Sequence, residues 1–292
     1  MKKTNILITG CTGFIGKQLV NELSKPEYKR KYNITCFARK PFRYKYVIGS
    51  LEDKNSLDRA IRNMHIVIHL AGETRSSDRK LNYKINVIGT KNVIEMCRKN
   101  KIKKIIYSGT VNSIFKRRGV YGETKRLAES LVKNSGLNYV ILKFNMVYGP
   151  GDSNLSKTIN LVKKLPIIPI IGNGKATLQP VCVNDAANAI ISSLENNNLK
   201  NRIYHIAGSE AFTFNEYIDI ISSNLYIKRI KIHIPAFLAR FFIMITGRMF
   251  ESTLTTELIN SITQDKSVDI SPAKKDLGFN PRSFRSMINM LD

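Results

Sequence analysis

Three glycines near the amino terminus constrain the fold of this chain more than any other feature. Gly10, Gly13 and Gly16 follow a short apolar run and open an amphipathic stretch. In that setting the first glycine permits a tight turn, the second lets the backbone approach paired phosphates, and the third lets the helix pack closely on the strand. The free N–H groups at the start of such a helix face an anion. The spacing therefore predicts a strand–turn–helix unit that binds a dinucleotide.

The first half of the chain alternates short apolar runs with longer amphipathic stretches. Continuous apolar runs are typical of parallel strands that are buried on both faces. Strands are predicted at residues 5–9, 34–38, 66–70, 105–108 and 139–144, and helices at 14–24, 56–62, 81–100 and 121–134. Right-handed crossovers between such strands place helices on both faces of the sheet. The expected fold class is α/β, a Rossmann-type doubly wound parallel sheet.

After about residue 150 this alternation ends, because proline and glycine interrupt the chain at short intervals. Helical patterns return at 185–195, 214–225, 236–246 and 283–290. We therefore expect two parts: residues 1–150 as the dinucleotide-binding Rossmann core, and residues 151–292 as mainly a smaller mixed α/β lobe that is partly interleaved with the core.

The composition excludes several classes of protein. Of the 292 residues 43% are hydrophobic, which is enough apolar material for a core and excludes a disordered chain. The four cysteines are too widely spread for a disulfide scaffold or a zinc site, so reduced thiols and no metal are expected. The most apolar stretch, residues 236–245, contains Arg240 and is much shorter than the roughly twenty residues of a membrane span. We expect a cytoplasmic protein.

Further motifs follow the glycine turn in order along nearly the whole chain. They are His69-Leu70-Ala71-Gly72, Asn86 with Gly89-Thr90, Tyr121-Gly122-Glu123-Thr124-Lys125, Val147-Tyr148-Gly149-Pro150-Gly151, Val183-Asn184-Asp185-Ala186 and Leu277-Gly278-Phe279-Asn280-Pro281. This ordered set resembles the extended branch of the short-chain dehydrogenase/reductase superfamily, the NAD-dependent epimerase/dehydratase family. The resemblance implies hydride transfer between a nicotinamide cofactor and a carbonyl or secondary alcohol carbon. It also implies a homodimer, formed through a helix bundle that includes the helix with the tyrosine.

The resemblance also implies which residues bind the cofactor and which kind of cofactor is bound. The implied set is Gly10, Thr12, Gly13, Phe14, Ile15, Gly16, Arg39, Leu51, Leu70, Ala71, Gly72, Asn86, Tyr121 and Lys125. Ala38 stands where a carboxylate would bind the ribose 2′-OH of NAD, and Arg39 follows it. Residues 28–51 contain seven basic residues and no acid, so NADP is favoured over NAD. Ser50 replaces an aspartate that the family often has near the adenine.

Tyr121 and Lys125 form a Tyr-x-x-x-Lys pair at the start of a predicted helix, which places Lys125 one turn above Tyr121. A second such pair, Tyr139 and Lys143, lies on a predicted strand, where residues four apart are separated by about 13 Å. A free phenol has a pKa near 10, and a nearby ammonium group lowers the pKa of a phenol toward the working range. The first pair therefore fits general acid–base chemistry.

The family resemblance implies a role for each of these side chains. Tyr121 is the general acid and base at a carbonyl or carbinol, and Lys125 tunes Tyr121 and hydrogen-bonds the nicotinamide ribose. Thr110 orients the substrate oxygen, with Ser108 as the rival hydroxyl. The core at residues 1–150 then includes the catalytic residues, and the second lobe mainly binds substrate.

A run of basic residues lies beside the predicted catalytic helix. Residues 96–122 contain eight basic residues and no acid, and Lys116 and Arg117 lie between Thr110 and Tyr121. We expect these two side chains to attract an anionic substrate, although a solvated charge run explains the same pattern. Asn154 and Leu155 are candidate contacts for the diphosphate of a nucleotide sugar.

Several departures from the family pattern leave the substrate open. The spacing between Thr110 and Tyr121 is short, Lys143 and Asn145 replace the usual arginine and proline, and Leu178 replaces an arginine that often binds a diphosphate. The favoured substrate is a nucleotide sugar or a related polar anionic metabolite. The alternatives are a reductase of a lipid or terpenoid carbonyl and a non-catalytic NAD(P)-binding scaffold or sensor.

The remaining basic surface suggests two kinds of partner. Residues 220–250 lack acids and carry five basic residues among aromatic and aliphatic ones. This pattern is compatible with a basic amphipathic helix on an anionic membrane surface, but packing over the substrate pocket is favoured. No recognition motif accompanies the net charge of +25, so no nucleic-acid partner is expected.

Overall fold

A computed structural model gives the structure of residues 3–246 and 256–288. The chain alternates strands and helices as predicted for its first half. The strands are β1 (Thr4–Thr9), β2 (Tyr32–Ala38), β3 (Tyr46–Ile48), β4 (Ile66–His69), β5 (Lys104–Thr110), β6 (Tyr139–Phe144), β7 (Val147–Tyr148), β8 (Ile167–Ile171), β9 (Thr177–Leu178), β10 (Val181–Cys182), β11 (Arg202–Ile206), β12 (Phe212–Thr213) and β13 (Ile230–Ile234).

The helices connect these strands and cover both faces of the sheet. They are α1 (Phe14–Leu23), α2 (Pro26–Lys31), α3 (Lys54–Ile61), α4 (Arg79–Asn82), α5 (Gly89–Lys99), α6 (Gly119–Lys133), α7 (Ser153–Lys164), α8 (Val183–Glu195), α9 (Phe214–Asn224), α10 (Ala236–Thr246), α11 (Thr256–Ile262), α12 (Ser271–Leu277) and α13 (Phe284–Ile288). A π-helical turn (Tyr83–Ile88) joins α4 to α5, and a 3₁₀ turn (Val111–Ile114) follows β5.

Seven strands form one parallel sheet in the order β11-β6-β5-β4-β1-β2-β3. Strand order reverses beside β1, which brings the ends of β1 and β4 together at the crevice where α/β proteins bind ligands. The expected fold class, a Rossmann-type doubly wound α/β sheet, is confirmed.

Alternating side chains of β1 fill two separate cores. Ile6 and Ile8 enter the core on one face together with α1 and α8, and Leu7 enters the core on the other face together with α3 and α5. All three residues are fully buried, as the continuous apolar run predicts for a central parallel strand.

The carboxy-terminal half contributes to the same sheet and adds a third core. β11 pairs with β6, and α8 packs beside α1, so this half also covers the Rossmann sheet. This third core is aromatic at its centre and lies beside short two-stranded sheets. Its rings belong to Tyr148, Phe212, Tyr217 and Phe284. The division at residue 150 remains a prediction.

Some elements were not expected from the sequence patterns. α7 begins after Asp152, whose carboxylate accepts hydrogen bonds from the backbone N–H groups of Asn154 and Leu155. The prolines and glycines on either side of this helix suggested only short pieces. The predicted helix at 81–100 is interrupted by the π-helical turn, and the last residues of the helix predicted at 283–290 lie outside the described residues.

Two further sequence expectations concern the chain as a whole. The four cysteines are all free and buried. None of the helices in the described part of the chain has the length and hydrophobicity needed to cross a bilayer.

Candidate active site

The glycine turn connects β1 to α1 and requires glycine at two of its three positions. Gly10 has a φ of +72°, and a Cβ there would lie 2.6 Å from the backbone nitrogen of Ala71. A Cβ on Gly16 would lie 2.1 Å from the carbonyl oxygen of Gly10. Both clashes are with backbone, so a larger side chain would displace either β4's end or α1. The tight turn and the close helix–strand packing predicted for these glycines are therefore present.

Gly13 differs from the other two glycines, because little of the protein lies against it. Its Cβ would meet only the carbonyl oxygen of Gly10, at 3.2 Å, and both Thr12 and Gly13 are exposed. Gly13 caps α1 without a side-chain hydrogen bond, and the first turn of the helix carries no acid. Phe14 and Ile15 are half-buried behind this turn. The backbone N–H of Gly13 donates to the carbonyl oxygen of Gly10 at 3.0 Å, so the N–H groups at the start of α1 that can receive an anion are those from Phe14 onward.

The segment after β4 is fixed beside the glycine turn by a buried histidine. The backbone N–H of Ala71 donates to Thr9 Oγ1 at 3.3 Å, and His69 Nδ1 lies 2.7 Å from the same oxygen. His69 Nε2 lies 3.1 Å from Thr90 Oγ1 on α5. Burial lowers the pKa of His69 to about 3, with a smaller effect from the charge of Lys125, so the imidazole is neutral. His69 joins three elements of the site and is not a proton carrier.

Asn86 fixes the next part of this segment. Its Oδ1 accepts from the backbone N–H of Glu73 at 2.8 Å, and its Nδ2 donates to the carbonyl oxygen of Glu73 at 3.0 Å and to Thr124 Oγ1 at 3.1 Å. The side chain is buried and its amide is occupied by these protein partners. Asn86 was expected among the cofactor-binding residues, and in the structure it acts by holding Gly72 and Glu73 in place.

Lys125 lies on α6 in a buried position at the centre of the site. Its Nζ donates to the carbonyl oxygen of Ser108 at 2.6 Å and lies 4.3 Å from the centre of the Tyr107 ring. A Cβ on Gly72 would lie 3.8 Å from this Nζ, so the segment after β4 passes directly beside it. Burial lowers the pKa of Lys125 to about 7, and the carboxylate of Glu129 opposes this shift.

Tyr121 lies one turn before Lys125 on α6 and faces Thr110 at the end of β5. Burial raises the pKa of the Tyr121 phenol, and a hydrogen bond with the Thr110 side chain acts in the opposite direction. This outcome differs from the lowering that the Tyr-x-x-x-Lys spacing predicts. The ammonium of Lys125 is directed to the carbonyl oxygen of Ser108, so desolvation outweighs its effect on the phenol.

The structure also separates the two rival hydroxyl residues. Thr110 is buried and its side chain contacts both Tyr121 and the backbone N–H of Asn112, at 3.2 Å from the latter. Ser108 offers its carbonyl oxygen to Lys125. Thr110 is therefore the better placed of the two to meet a substrate oxygen beside Tyr121.

Glu129 is part of this site although the sequence patterns did not indicate it. It is 4% exposed, its carboxylate accepts from Lys143 at 2.9 Å and Lys133 at 2.8 Å, and Ser113 donates to it at 3.3 Å. It stands four residues after Lys125 on the same face of α6, so the spacing Tyr-x-x-x-Lys-x-x-x-Glu was the available signal. Lys143 joins β6 to this buried ion group.

The two residues expected to bind the adenosine part of the cofactor, Arg39 and Leu51, differ in exposure. Arg39 is exposed at the end of β2, and its charge contributes to the lowered pKa of Glu73, although hydrogen bonds from backbone N–H groups have larger effects. Leu51 is buried, and its carbonyl oxygen accepts from Asn92 Nδ2 at 2.9 Å. Glu52, the acid that directly follows Leu51, pairs with Lys84 at 2.9 Å.

The residues expected to bind substrate are placed differently from one another. Lys116 and Arg117 are exposed just before α6, and the backbone of Arg117 is held by the side chain of Gln264. Leu155 is buried in the third core. The backbone N–H groups of Asn154 and Leu155 are both taken by Asp152, at 3.0 and 3.1 Å. The diphosphate contact stays a prediction, with the exposed side chain of Asn154 as the part of this pair that a ligand can reach.

A sequence model of the NAD dependent epimerase/dehydratase family matches residues 6–207 of this chain. That range includes the glycine turn, the segment after β4 and α6, which carries Tyr121 and Lys125. It extends through β11, the last strand to join the large sheet.

Individual relatives differ in the reactions that their names describe. UDP-glucose 4-epimerase of Vibrio cholerae is 25% identical over 95% of this chain and 90% of its own length. Human sterol-4-alpha-carboxylate 3-dehydrogenase, decarboxylating, is 27% identical over 78% of this chain and 68% of its own length. NADH dehydrogenase [ubiquinone] 1 alpha subcomplex subunit 9 of Dictyostelium discoideum is 26% identical over 73% of this chain, which spans only 62% of that relative.

Solved structures share the architecture over the whole chain. The structure of MoeE5 in complex with UDP-glucose and NAD superposes with a TM-score of 0.77 at 20% identity, covering 98% of this chain and 97% of that one. At this identity the similarity establishes the fold, in agreement with the strand order described above.

Proposed function

The chain belongs to the NAD dependent epimerase/dehydratase family, and on that basis we propose that it is an NAD(P)-dependent oxidoreductase or epimerase acting on a small anionic metabolite. The reacting centre is a carbonyl or secondary alcohol carbon. One observation carries the proposal: Thr110, Tyr121 and Lys125 converge beside the segment after β4, which itself lies against Gly10 of the glycine turn. A scaffold protein has no need of this convergence.

The protein residues suit the binding of a nicotinamide dinucleotide. The N–H groups at the start of α1 would receive the pyrophosphate, with Gly13 leaving room for it. The Nζ of Lys125, beside Gly72, would reach the ribose next to the nicotinamide. When bound, the nicotinamide supplies the hydride chemistry that the protein side chains lack.

Tyr121 moves the proton in this proposal. In reduction of a carbonyl its phenol donates a proton to the substrate oxygen, and in oxidation of an alcohol its phenolate accepts that proton. Thr110 hydrogen-bonds the same oxygen and sets its distance from the phenol. Because burial raises the pKa of Tyr121, the protonated phenol is the resting form.

The cofactor preference follows from the exposed end of β2. Arg39 stands there, and Ala38 occupies the position at which a carboxylate would bind a ribose 2′-OH, which supports NADP over NAD. The variant Arg39→Glu should bind NADPH about tenfold more weakly while NADH affinity stays within about twofold, because one charge contact to the 2′-phosphate is lost. Fluorescence titration of both cofactors measures this, and an equal loss for both would contradict the preference.

The substrate proposed first is a nucleotide sugar or a related polar metabolite. The name of the Vibrio cholerae relative supports this class, as do the exposed Lys116 and Arg117 beside the catalytic helix. A second candidate, reduction of a lipid or terpenoid carbonyl, is favoured by Leu178, which is buried in the third core where nucleotide-sugar members often have an arginine. The sterol dehydrogenase relative also supports this second class.

Exchange of Tyr121 for phenylalanine tests the proposal. Tyr121→Phe should lose at least about a hundredfold in kcat, because general acid–base catalysis by one group contributes that much, while cofactor affinity stays near that of the wild type. Turnover is measured with a panel of UDP-sugars and a panel of lipid carbonyls, which also separates the two substrate classes. If the wild type binds cofactor but turns over no member of either panel, the scaffold alternative replaces the enzyme.

A further inference from the structure

The outer face of the two-stranded sheet β8–β13 is made of aliphatic side chains. The strands are parallel and in register, so Ile167 lies beside Ile230 and Pro169 lies beside Ile232. Ile167, Ile230 and Ile232 are 45%, 67% and 49% exposed. We call this the outer face of β8–β13, formed by Ile167, Pro169, Ile171, Ile230, Ile232 and Ile234.

The inner face of the same sheet is the one that packs against the rest of the protein. Side chains alternate between the two faces of a strand. Ile168 and Ile170 are buried in the third core, while Lys231 pairs with Asp219 at 2.6 Å and His233 lies 2.9 Å from Asn215 on α9. The inner face thus packs on the third core and contacts α9, and the aliphatic side chains of the outer face point away from both.

α10 extends this surface from the end of β13. Phe237, Leu238 and Phe241 are 67%, 46% and 54% exposed, whereas Ala239 is buried and Arg240 donates to Asn260 at 3.0 Å. The helix therefore rests on α11 by one side and presents aromatic side chains on the other. The favoured sequence expectation, packing over the substrate pocket, accounts only for the buried side.

The large hydrophobic side chains that the described residues expose are concentrated here. Six of the fifteen belong to β8–β13 and α10, namely Ile167, Ile230, Ile232, Phe237, Leu238 and Phe241, and three more, Leu161, Leu165 and Tyr226, lie in the segments that lead into these two strands. Single exposed hydrophobic residues are normal on protein surfaces, but a contiguous group marks a contact surface.

The charge along the segments that form this surface is positive. Residues 153–184 and 220–246 contain no acid. Exposed Lys164 and Lys228 flank Ile167 and Ile230, and Asp219, on the neighbouring α9, is paired with Lys231. An aliphatic and aromatic centre with a basic border complements the anionic surface of a lipid bilayer, whose headgroups attract lysine and whose interface takes up apolar side chains.

We propose that the outer face of β8–β13 and the exposed side of α10 bind the surface of an anionic lipid bilayer. The protein lies on the membrane through this surface and does not cross it. α10 rests on α11, and Gln264, just after α11, holds the backbone of Arg117 before the catalytic helix. The bound bilayer would therefore lie next to the loop that precedes Tyr121.

Vesicle cosedimentation of the full chain tests this proposal. Wild-type protein should sediment with vesicles of phosphatidylcholine mixed with phosphatidylglycerol, and much less with phosphatidylcholine alone, and added salt should weaken the binding. The pairs Ile230→Ser with Ile232→Ser, and Phe237→Ser with Phe241→Ser, should each reduce the partition coefficient about tenfold. The pair Lys164→Gln with Lys228→Gln should reduce it on anionic vesicles only.

Matched controls keep the test specific to this surface. Tyr46→Ser with Ile48→Ser removes two exposed side chains at the same spacing on another strand, and Lys29→Gln with Arg30→Gln removes two exposed charges on α2. Both controls should bind like the wild type. Circular dichroism checks folding of every variant, and the α10 and lysine pairs test the proposal even if the serine pair on β13 fails to fold.

Three results would overturn the proposal. The first is absence of binding to anionic vesicles at low salt. The second is binding that all variants and controls share, since net charge alone would then explain it. The third is a second copy of this chain on the surface, seen in light scattering as a wild-type dimer that the Ile230→Ser with Ile232→Ser pair converts to a monomer.

Discussion

Lys125 is the residue with the most consequences for both stability and chemistry. Its ammonium is buried, with one carbonyl oxygen, one aromatic ring and a more distant carboxylate around it. A buried charge lowers stability unless its partners replace the lost water. The lowered pKa of about 7 is the sign that they do so incompletely. The protein thus keeps a destabilising group where the proposed chemistry needs one.

The pH dependence of stability tests this interpretation. The folded pKa of Lys125 lies below the unfolded value, so its cost to stability is full below about pH 7 and disappears as pH rises toward the unfolded pKa of about 10.4. Lys125→Met should therefore melt at a higher temperature than the wild type at pH 6, with a difference that shrinks toward pH 10. Turnover should be lost at every pH.

Calorimetry of both proteins over this range measures the difference. Lys133→Met, on the same helix but 39% exposed, serves as the control and should show no such convergence. A Lys125→Met protein that is less stable than the wild type at pH 6 would contradict the account.

At the scale of elements, the β1–turn–α1 unit contains glycines that the fold requires and one that the fold requires much less. Gly10 and Gly16 are required by backbone contacts of about 2 to 3 Å, and the sequence spacing predicted both roles. Gly13 has a weaker requirement, because its Cβ would lie 3.2 Å from the carbonyl oxygen of Gly10 and meet no other atom. We therefore predict that a glycine at this position serves a ligand more than the fold.

Alanine at each position should separate these two reasons. Gly16→Ala should lower the melting temperature strongly, because its Cβ would overlap the carbonyl oxygen of Gly10, and overpacking of this kind costs about 1–3 kcal/mol or more. Gly13→Ala should fold with nearly wild-type stability and bind NADPH at least about tenfold more weakly. Thermal melts and cofactor titration distinguish the two, and normal cofactor affinity of Gly13→Ala would count against a phosphate site at this turn.

The parallel sheet and α6, the helix that carries Tyr121 and Lys125, could be predicted from the sequence because their signals are local. The central strands are continuous apolar runs, and Tyr121 and Lys125 are one helical turn apart. The capping of α7 by Asp152 is a local signal that the neighbouring prolines and glycines outweighed. The π-helical turn before α5 was not predicted, since it depends on where the chain packs. Glu129 was missed for a similar reason: its partners Lys143 and Ser113 come from a distant strand and a 3₁₀ turn. The raised pKa of Tyr121 depends on burial, which residue spacing does not report.

At the scale of the whole molecule, the net charge of +25 is the dominant property. Many of the acids are already engaged by nearby bases, as Asp58, Glu123 and Asp185 are. The excess positive charge therefore acts outward, where it raises the local concentration of anions. The loop with Lys116 and Arg117 exposes part of this charge beside the proposed active site.

Removing the charges of this loop tests whether they attract the substrate to the active site. Lys116→Gln with Arg117→Gln should raise KM about tenfold at low salt with little change in kcat, and the effect should fade as ionic strength rises. Steady-state kinetics at several salt concentrations measures both constants. The control pair Lys29→Gln with Arg30→Gln makes the same change of net charge on α2, which is distant in sequence from this loop, and should leave KM unaltered. An unchanged KM in the loop variant would show that this charge is only solvated surface.

The most direct test of the central claim is a crystal structure of the protein with bound NADP. The account predicts that the pyrophosphate lies within hydrogen-bond distance of the N–H groups at Phe14 and Ile15, and that the nicotinamide faces the hydroxyl groups of Tyr121 and Thr110. Pyrophosphate bound elsewhere, or a nicotinamide ring turned away from Tyr121, would contradict it.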